Sequence, residues 1–61
     1  MIDDFRRFHL IGAGGIGVSG LGRALLALGC EVSGSDVRES QLTNALRDEG
    51  ATVHIGHDAF G

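Results

Sequence analysis

The 61-residue sequence predicts an α/β fold: the β-α-β-α-β half of a doubly wound, three-layer parallel sheet, as a single truncated domain spanning 1–61. Three observations predict it. Short apolar or alternating runs are separated by stretches of helical period, so each pair of strands is joined through a helix, as parallel strands require. Five glycines fall between residues 12 and 20, at the first strand-to-helix junction. An acid, Asp36, closes the second strand.

Phe8 to Ile11 is mostly apolar and runs into Gly12, which reads as a buried strand entering a tight turn. From Ile16, Val18, Leu21, Leu25 and Leu28 recur at helical spacing, and Gly29 stands where a helix end needs positive φ. Cys30 to Ser35 sets Cys30, Val32 and Gly34 against Glu31, Ser33 and Ser35, the pattern of a strand with one face in a core. Ser40 is the expected N-cap of a second helix, Ser40 to Glu49, with an apolar stripe of Leu42, Ala45 and Leu46 and a stop at Gly50. Thr52 to Ile55 is a third strand. No linker, repeat or low-complexity segment interrupts this order.

Composition excludes several classes. A hydrophobic share of 43% with 21% charged residues is that of a folded chain, although one this short buries only about 60% of its unfolded surface, which leaves its stability marginal. The five basic residues are scattered arginines, and a net charge of -3 offers no general attraction to nucleic acid or an anionic membrane. The longest apolar run, Ala24 to Leu28, is far short of a membrane span, and Asp3 and Asp4 do not suit a secretory signal; a cytoplasmic location is expected. The lone Cys30 reads as an inert thiol in a strand.

Gly12, Gly14 and Gly17 satisfy GxGxxG, a weak pattern by itself in a chain with 11 glycines. Its context is what strengthens it: it follows a predicted strand, opens a predicted helix, and is followed at the end of the next strand by Asp36. Gly12 would permit the turn, Gly14 and Gly15 would let backbone N–H groups reach phosphate oxygens, and Gly17 would let the helix lie close to the first strand. Asp36 would accept hydrogen bonds from ribose hydroxyls or a base N–H. Ser19 reads equally as a tolerated first-turn serine or as a hydroxyl donor to phosphate.

The stretch "HLIGAGGIGVSGLG", followed by "VSGSD" and "IGHD", resembles the N-terminal segment of the Mur ligase family, the amino-acid-adding ligases of bacterial peptidoglycan synthesis, and within it the L-alanine-adding kind. The resemblance covers essentially the whole chain, and its most specific parts are Gly14-Gly15, Ser19-Gly20-Leu21 and Gly34-Ser35-Asp36. It implies a Rossmann-like domain that binds the UDP part of UDP-N-acetylmuramate, with a substrate-binding set of Gly12, Ala13, Gly14, Gly15, Ile16, Gly17, Ser19, Asp36 and His57. It also implies that ATP, Mg2+ and L-alanine are handled by other domains, where an acyl phosphate forms and is attacked by the amine. In that family alanine is common at the position of Gly22 and methionine at that of Val18, which implies a looser first helix here. With no lysine in the chain there is no GxxxxGK[ST] phosphate loop, so no catalytic residue and no cofactor of its own are expected.

His57 follows the third strand at the carboxyl edge, where open α/β sheets hold their ligands. His9 reads as a packed or rim histidine and His54 as a solvent-facing strand residue, and no metal site is expected. Two rival functions share these features: half of an NAD-dependent oxidoreductase domain, with Asp36 on the adenosine ribose, and a non-catalytic nucleotide-sensing module. In the order 3-2-1-4 the first strand is central, so a chain stopping after the third would leave Phe8 to Ile11 open to self-association along that edge.

Overall fold

The computed structural model describes residues 6–56. Five elements follow in the predicted order: β1 (Arg7–Ile11), α1 (Ile16–Ala27), β2 (Glu31–Asp36), α2 (Gln41–Asp48) and β3 (Thr52–Ile55). The three strands form one parallel sheet in the order β1-β2-β3, with Phe8 opposite Val32, Ile11 opposite Ser35, and Ser35 in turn opposite His54. This is a Rossmann-like unit. α1 lies against β1 and β2, α2 lies against β3, and the helices touch each other, so both cover the same face. The opposite face, with His9, Ile11, Thr52 and His54, is exposed.

Leu10, Ala13, Val32, Leu46, Ala51 and Val53 form the core, with Val18, Leu25, Leu26, Cys30 and Ile55 packed around it. Leu46, 0% exposed, comes from the narrow stripe of α2 and is the largest fully buried side chain. Ser35 is an exception to the alternation. It was expected on the solvent side, yet it is 0% exposed, because its carbonyl takes up the turn after β1 and the His9 ring lies 3.5 Å from its hydroxyl.

Both helices stop where glycine was expected to stop them. Gly29 has φ +88 and Gly50 has φ +112, conformations that L side chains rarely adopt. The Cys30 N–H donates to the Leu25 carbonyl, so Cys30 completes the end of α1, and β2 begins one residue later than its alternation implied. α2 opens on a capping box: Ser40 Oγ accepts from the Thr43 N–H at 3.2 Å and Thr43 Oγ1 accepts from the Ser40 N–H at 2.8 Å. Ser40→Ala is therefore expected to cost roughly 1 kcal/mol in denaturant unfolding. A loss below a few tenths would mean that the box contributes nothing.

The glycines of α1 differ from their expected roles. A Cβ at Gly17 would meet nothing within 4 Å, so Gly17 is not the residue that lets α1 approach the sheet. Gly22 is that residue. A Cβ there would lie 2.6 Å from Leu10 Cδ1 and 2.9 Å from Leu46 Cδ2, so its hydrogen lets α1 close on β1 and α2 together.

Candidate functional site

At the carboxyl end of β1 the chain turns through Gly12, whose φ of +74 suits a residue without a side chain. The register that sets Ile11 beside Ser35 brings this turn to the end of β2, where the Ser35 carbonyl accepts from both the Gly12 and Ala13 N–H groups at 2.9 Å. The Gly14 N–H donates to Asp36 Oδ2 at 2.7 Å, and the Gly15 N–H returns to the Gly12 carbonyl at 2.9 Å. All four amides from Gly12 to Gly15 are thus engaged within the chain. Gly14 and Gly15, expected to let backbone N–H groups reach a phosphate, have their own N–H groups turned to acceptors within the chain.

The open donors lie one step further on. Gly15 is the N-cap of α1, with no side chain to close it, and the first helical residue to find an acceptor is Ser19, whose N–H reaches the Gly15 carbonyl at 2.7 Å. Among the described residues no acceptor meets the N–H groups of Ile16, Gly17 and Val18. These are the amides a helix leaves unsatisfied at its start, and the helix dipole adds a partial positive charge where they emerge. No acid sits in the first turn to neutralise them. In α2 the Ser40–Thr43 box closes the N–H groups of Ser40 and Thr43, so among the described residues two amides, those of Gln41 and Leu42, stay open there against three in α1.

Asp36 is held by its surroundings in the charged form. The Gly14 amide is the main cause, with lesser help from Arg38 and Val37, and together they outweigh partial burial and keep its carboxyl below the usual range. Gly14 must be small for the same reason, since a Cβ there would lie 2.8 Å from Asp36 Oδ2, 3.2 Å from Ser40 Oγ and 3.3 Å from Thr43 Cγ2. The acid, the turn and the start of α2 form one packed unit.

Of the residues expected at the site, Gly12, Ala13, Gly14, Gly15, Ile16, Gly17 and Asp36 gather at the carboxyl edge of the sheet. Ser19 is 2% exposed and lies beneath the turn. His57 falls outside the described residues. His9 is exposed on the open sheet face, where its Nδ1 is 2.9 Å from Ser33 Oγ, and His54 is exposed as expected. Sequence reasoning missed Val18, the third open amide, although its place in the first turn was signal enough. It also missed the Ser35 carbonyl, a backbone group that no residue type announces.

Among the described residues no group of three or more His, Cys, Asp or Glu could hold a metal, and no helix is long and apolar enough to cross a membrane.

The sheet, the glycine turn and the open start of α1 define a Rossmann-like unit, a class that takes ligands at the carboxyl ends of its strands. The sequence matches the Mur ligase family, catalytic domain, over residues 7–60. It is 56% identical over 57 residues to a protein of Hydrogenobaculum sp. (strain Y04AAS1), and 55% identical over 58 residues to one of Thermobifida fusca (strain YX). A third, from Nocardia farcinica (strain IFM 10152), is 57% identical over 56 residues. Each bears the name UDP-N-acetylmuramate--L-alanine ligase, and the matches cover 92–95% of this chain. The chain spans only 11–13% of the length of these relatives. The chain belongs to the Mur ligase family.

Proposed function

We propose that this chain is the nucleotide-sugar-binding segment of an ATP-dependent ligase that joins L-alanine to UDP-N-acetylmuramate in bacterial peptidoglycan synthesis. The observation that carries the reading is the uncapped start of α1, three amides open among the described residues beside a turn whose own amides are already engaged, in a chain of this family. A diphosphate has the charge and the oxygen acceptors that such a helix start lacks among the described residues. Gly12 to Gly17 form the substrate cradle, Ser19 supports it from below, Asp36 borders it, and His57 follows just beyond the described residues. The names of the relatives support the choice of UDP-N-acetylmuramate as substrate.

The ligase chemistry belongs to other parts of such an enzyme. ATP and Mg2+ do not fit the residues here, since the chain has no lysine and no GxxxxGK[ST] loop. On this reading the protein works in the cytoplasm, and neither nucleic acid nor membrane is its partner. Titration calorimetry of the intact protein with UDP-N-acetylmuramate and with NAD tests the proposal: binding of the sugar nucleotide alone is expected. Binding of NAD alone would instead mark an oxidoreductase half-domain.

A further inference from the structure

An acid on the border of an anion cradle needs an explanation. Asp36 carries a negative charge beside the place proposed for a diphosphate, and like charges a few ångströms apart repel. Contact with a nucleoside is one reason to keep it. The hydrogen bonds give another. Asp36 Oδ2 is the only acceptor found for the Gly14 N–H among the described residues, at 2.7 Å across 22 positions of chain, while the Arg38 N–H lies at a longer 3.4 Å from Oδ1. Gly12, Ala13 and Gly15 are tied to backbone carbonyls, so Gly14 is the one point at which the turn depends on a side chain. Ser40 Oγ and Thr43 Cγ2 lie 3.2 and 3.3 Å from where a Cβ on Gly14 would be, and among the described residues no hydrogen bond joins the Asp36 carboxylate to the start of α2, whose Thr43 N–H is capped by Ser40.

We propose that Asp36 is a positioning residue: by accepting the Gly14 N–H it fixes the Gly12–Gly15 turn so that the open amides of Ile16, Gly17 and Val18 face the diphosphate, and it acts on affinity through the phosphates rather than the nucleoside. This rests on the nucleotide-sugar reading of the site. The acceptor oxygen matters here more than the charge. Asparagine at position 36 keeps an acceptor of the same reach, alanine removes it, and glutamate retains the charge but places it one methylene further, against Ser40 and Thr43.

The test uses the intact protein with UDP and with uridine as probes, in the wild type and in Asp36→Asn, Asp36→Ala and Asp36→Glu. The expected result is a loss of UDP affinity of at least tenfold in Asp36→Ala and Asp36→Glu, within about threefold in Asp36→Asn, and under twofold for uridine throughout. Amide hydrogen exchange gives a readout that general destabilisation would not reproduce: protection is lost at Gly14 in Asp36→Ala and kept in Asp36→Asn, with Val32 and Val53 unchanged. Should Asp36→Ala unfold the protein, the contrast between Asn and Glu decides the matter alone. Uridine affinity falling in step with UDP affinity would overturn the proposal and return Asp36 to the nucleoside. If the wild type binds UDP no better than uridine, the diphosphate cradle itself is refuted, a failure distinct from a wild type that prefers UDP while Asp36→Ala still protects Gly14.

Discussion

Gly34→Val is expected to destabilise the domain strongly. Gly34 lies in β2, the central strand, with its missing side chain directed at the turn after β1: a Cβ there would be 2.8 Å from Ala13 Cβ and 3.2 Å from the Leu10 carbonyl oxygen. Neither neighbour can yield. Leu10 is paired with Gly34 in the ladder, and Ala13 is 0% exposed with its N–H held by the Ser35 carbonyl. A valine adds two further methyl groups to a position that already rejects one. Overpacking of a core costs about 1–3 kcal/mol and at times more. A domain of this size has only about 3–9 kcal/mol of stability in total. A lowering of the thermal midpoint by more than about 12 °C is expected from a change of roughly 3 kcal/mol. Circular dichroism of the variant measures it, with Gly34→Ala showing a smaller fall. A midpoint within a few degrees of wild type would mean that the Gly12–Gly15 turn slides aside freely, and the rigid cradle would fall with it.

The contrast between Gly34 and Gly17 shows how far the sequence could be read. The elements were legible because each rests on local chemistry: a short apolar run ending at Gly12 for β1, although only Leu10 of β1 is buried, alternation in β2, the leucine spacing of α1, the serine that caps α2, and glycines at the two positions where the helices end in positive φ. The partners of the other glycines were not. The GxGxxG spacing assigns the packing role to Gly17, but Gly22 lies about 140° further round an ideal helix, and it is that face which Leu10 and Leu46 meet. Which face turns inward depends on the rotation of α1 against two other elements, information that no single segment carries. The Asp36–Gly14 bond was half legible in the same sense: the acid at the end of a strand and the glycine after another were both visible, but their meeting depends on the register that sets Ile11 beside Ser35.

Gly15→Asp is expected to leave the fold intact and remove most of the affinity for the sugar nucleotide. Gly15 occupies the N-cap of α1 with φ -69 and ψ 144, extended values that any residue adopts, so aspartate meets no backbone strain there. Its Cβ would be 3.3 Å from the Gly12 carbonyl oxygen, a tight contact but one that does not enter the core. An N-cap carboxylate accepts from the N–H groups two and three residues on, here Gly17 and Val18, as Ser40 does from Thr43 in α2. The cap and the helix dipole together favour the variant by about 0.3–1 kcal/mol, so its melting temperature should hold or rise slightly. Those same amides are the ones proposed for the diphosphate. The ligand would have to displace the carboxylate and bind beside its charge, and at about 4 Å one unit of repulsion amounts to ~1 kcal/mol in water and ~4 kcal/mol near a protein surface. A loss of roughly a hundredfold in affinity for UDP-N-acetylmuramate follows, about 2.7 kcal/mol. Gly15→Asn caps without the charge and should lose less. Calorimetric titration alongside a melt of the ligand-free protein separates the two effects, and an aspartate variant that is as stable as wild type yet binds as tightly would show that the diphosphate lies elsewhere.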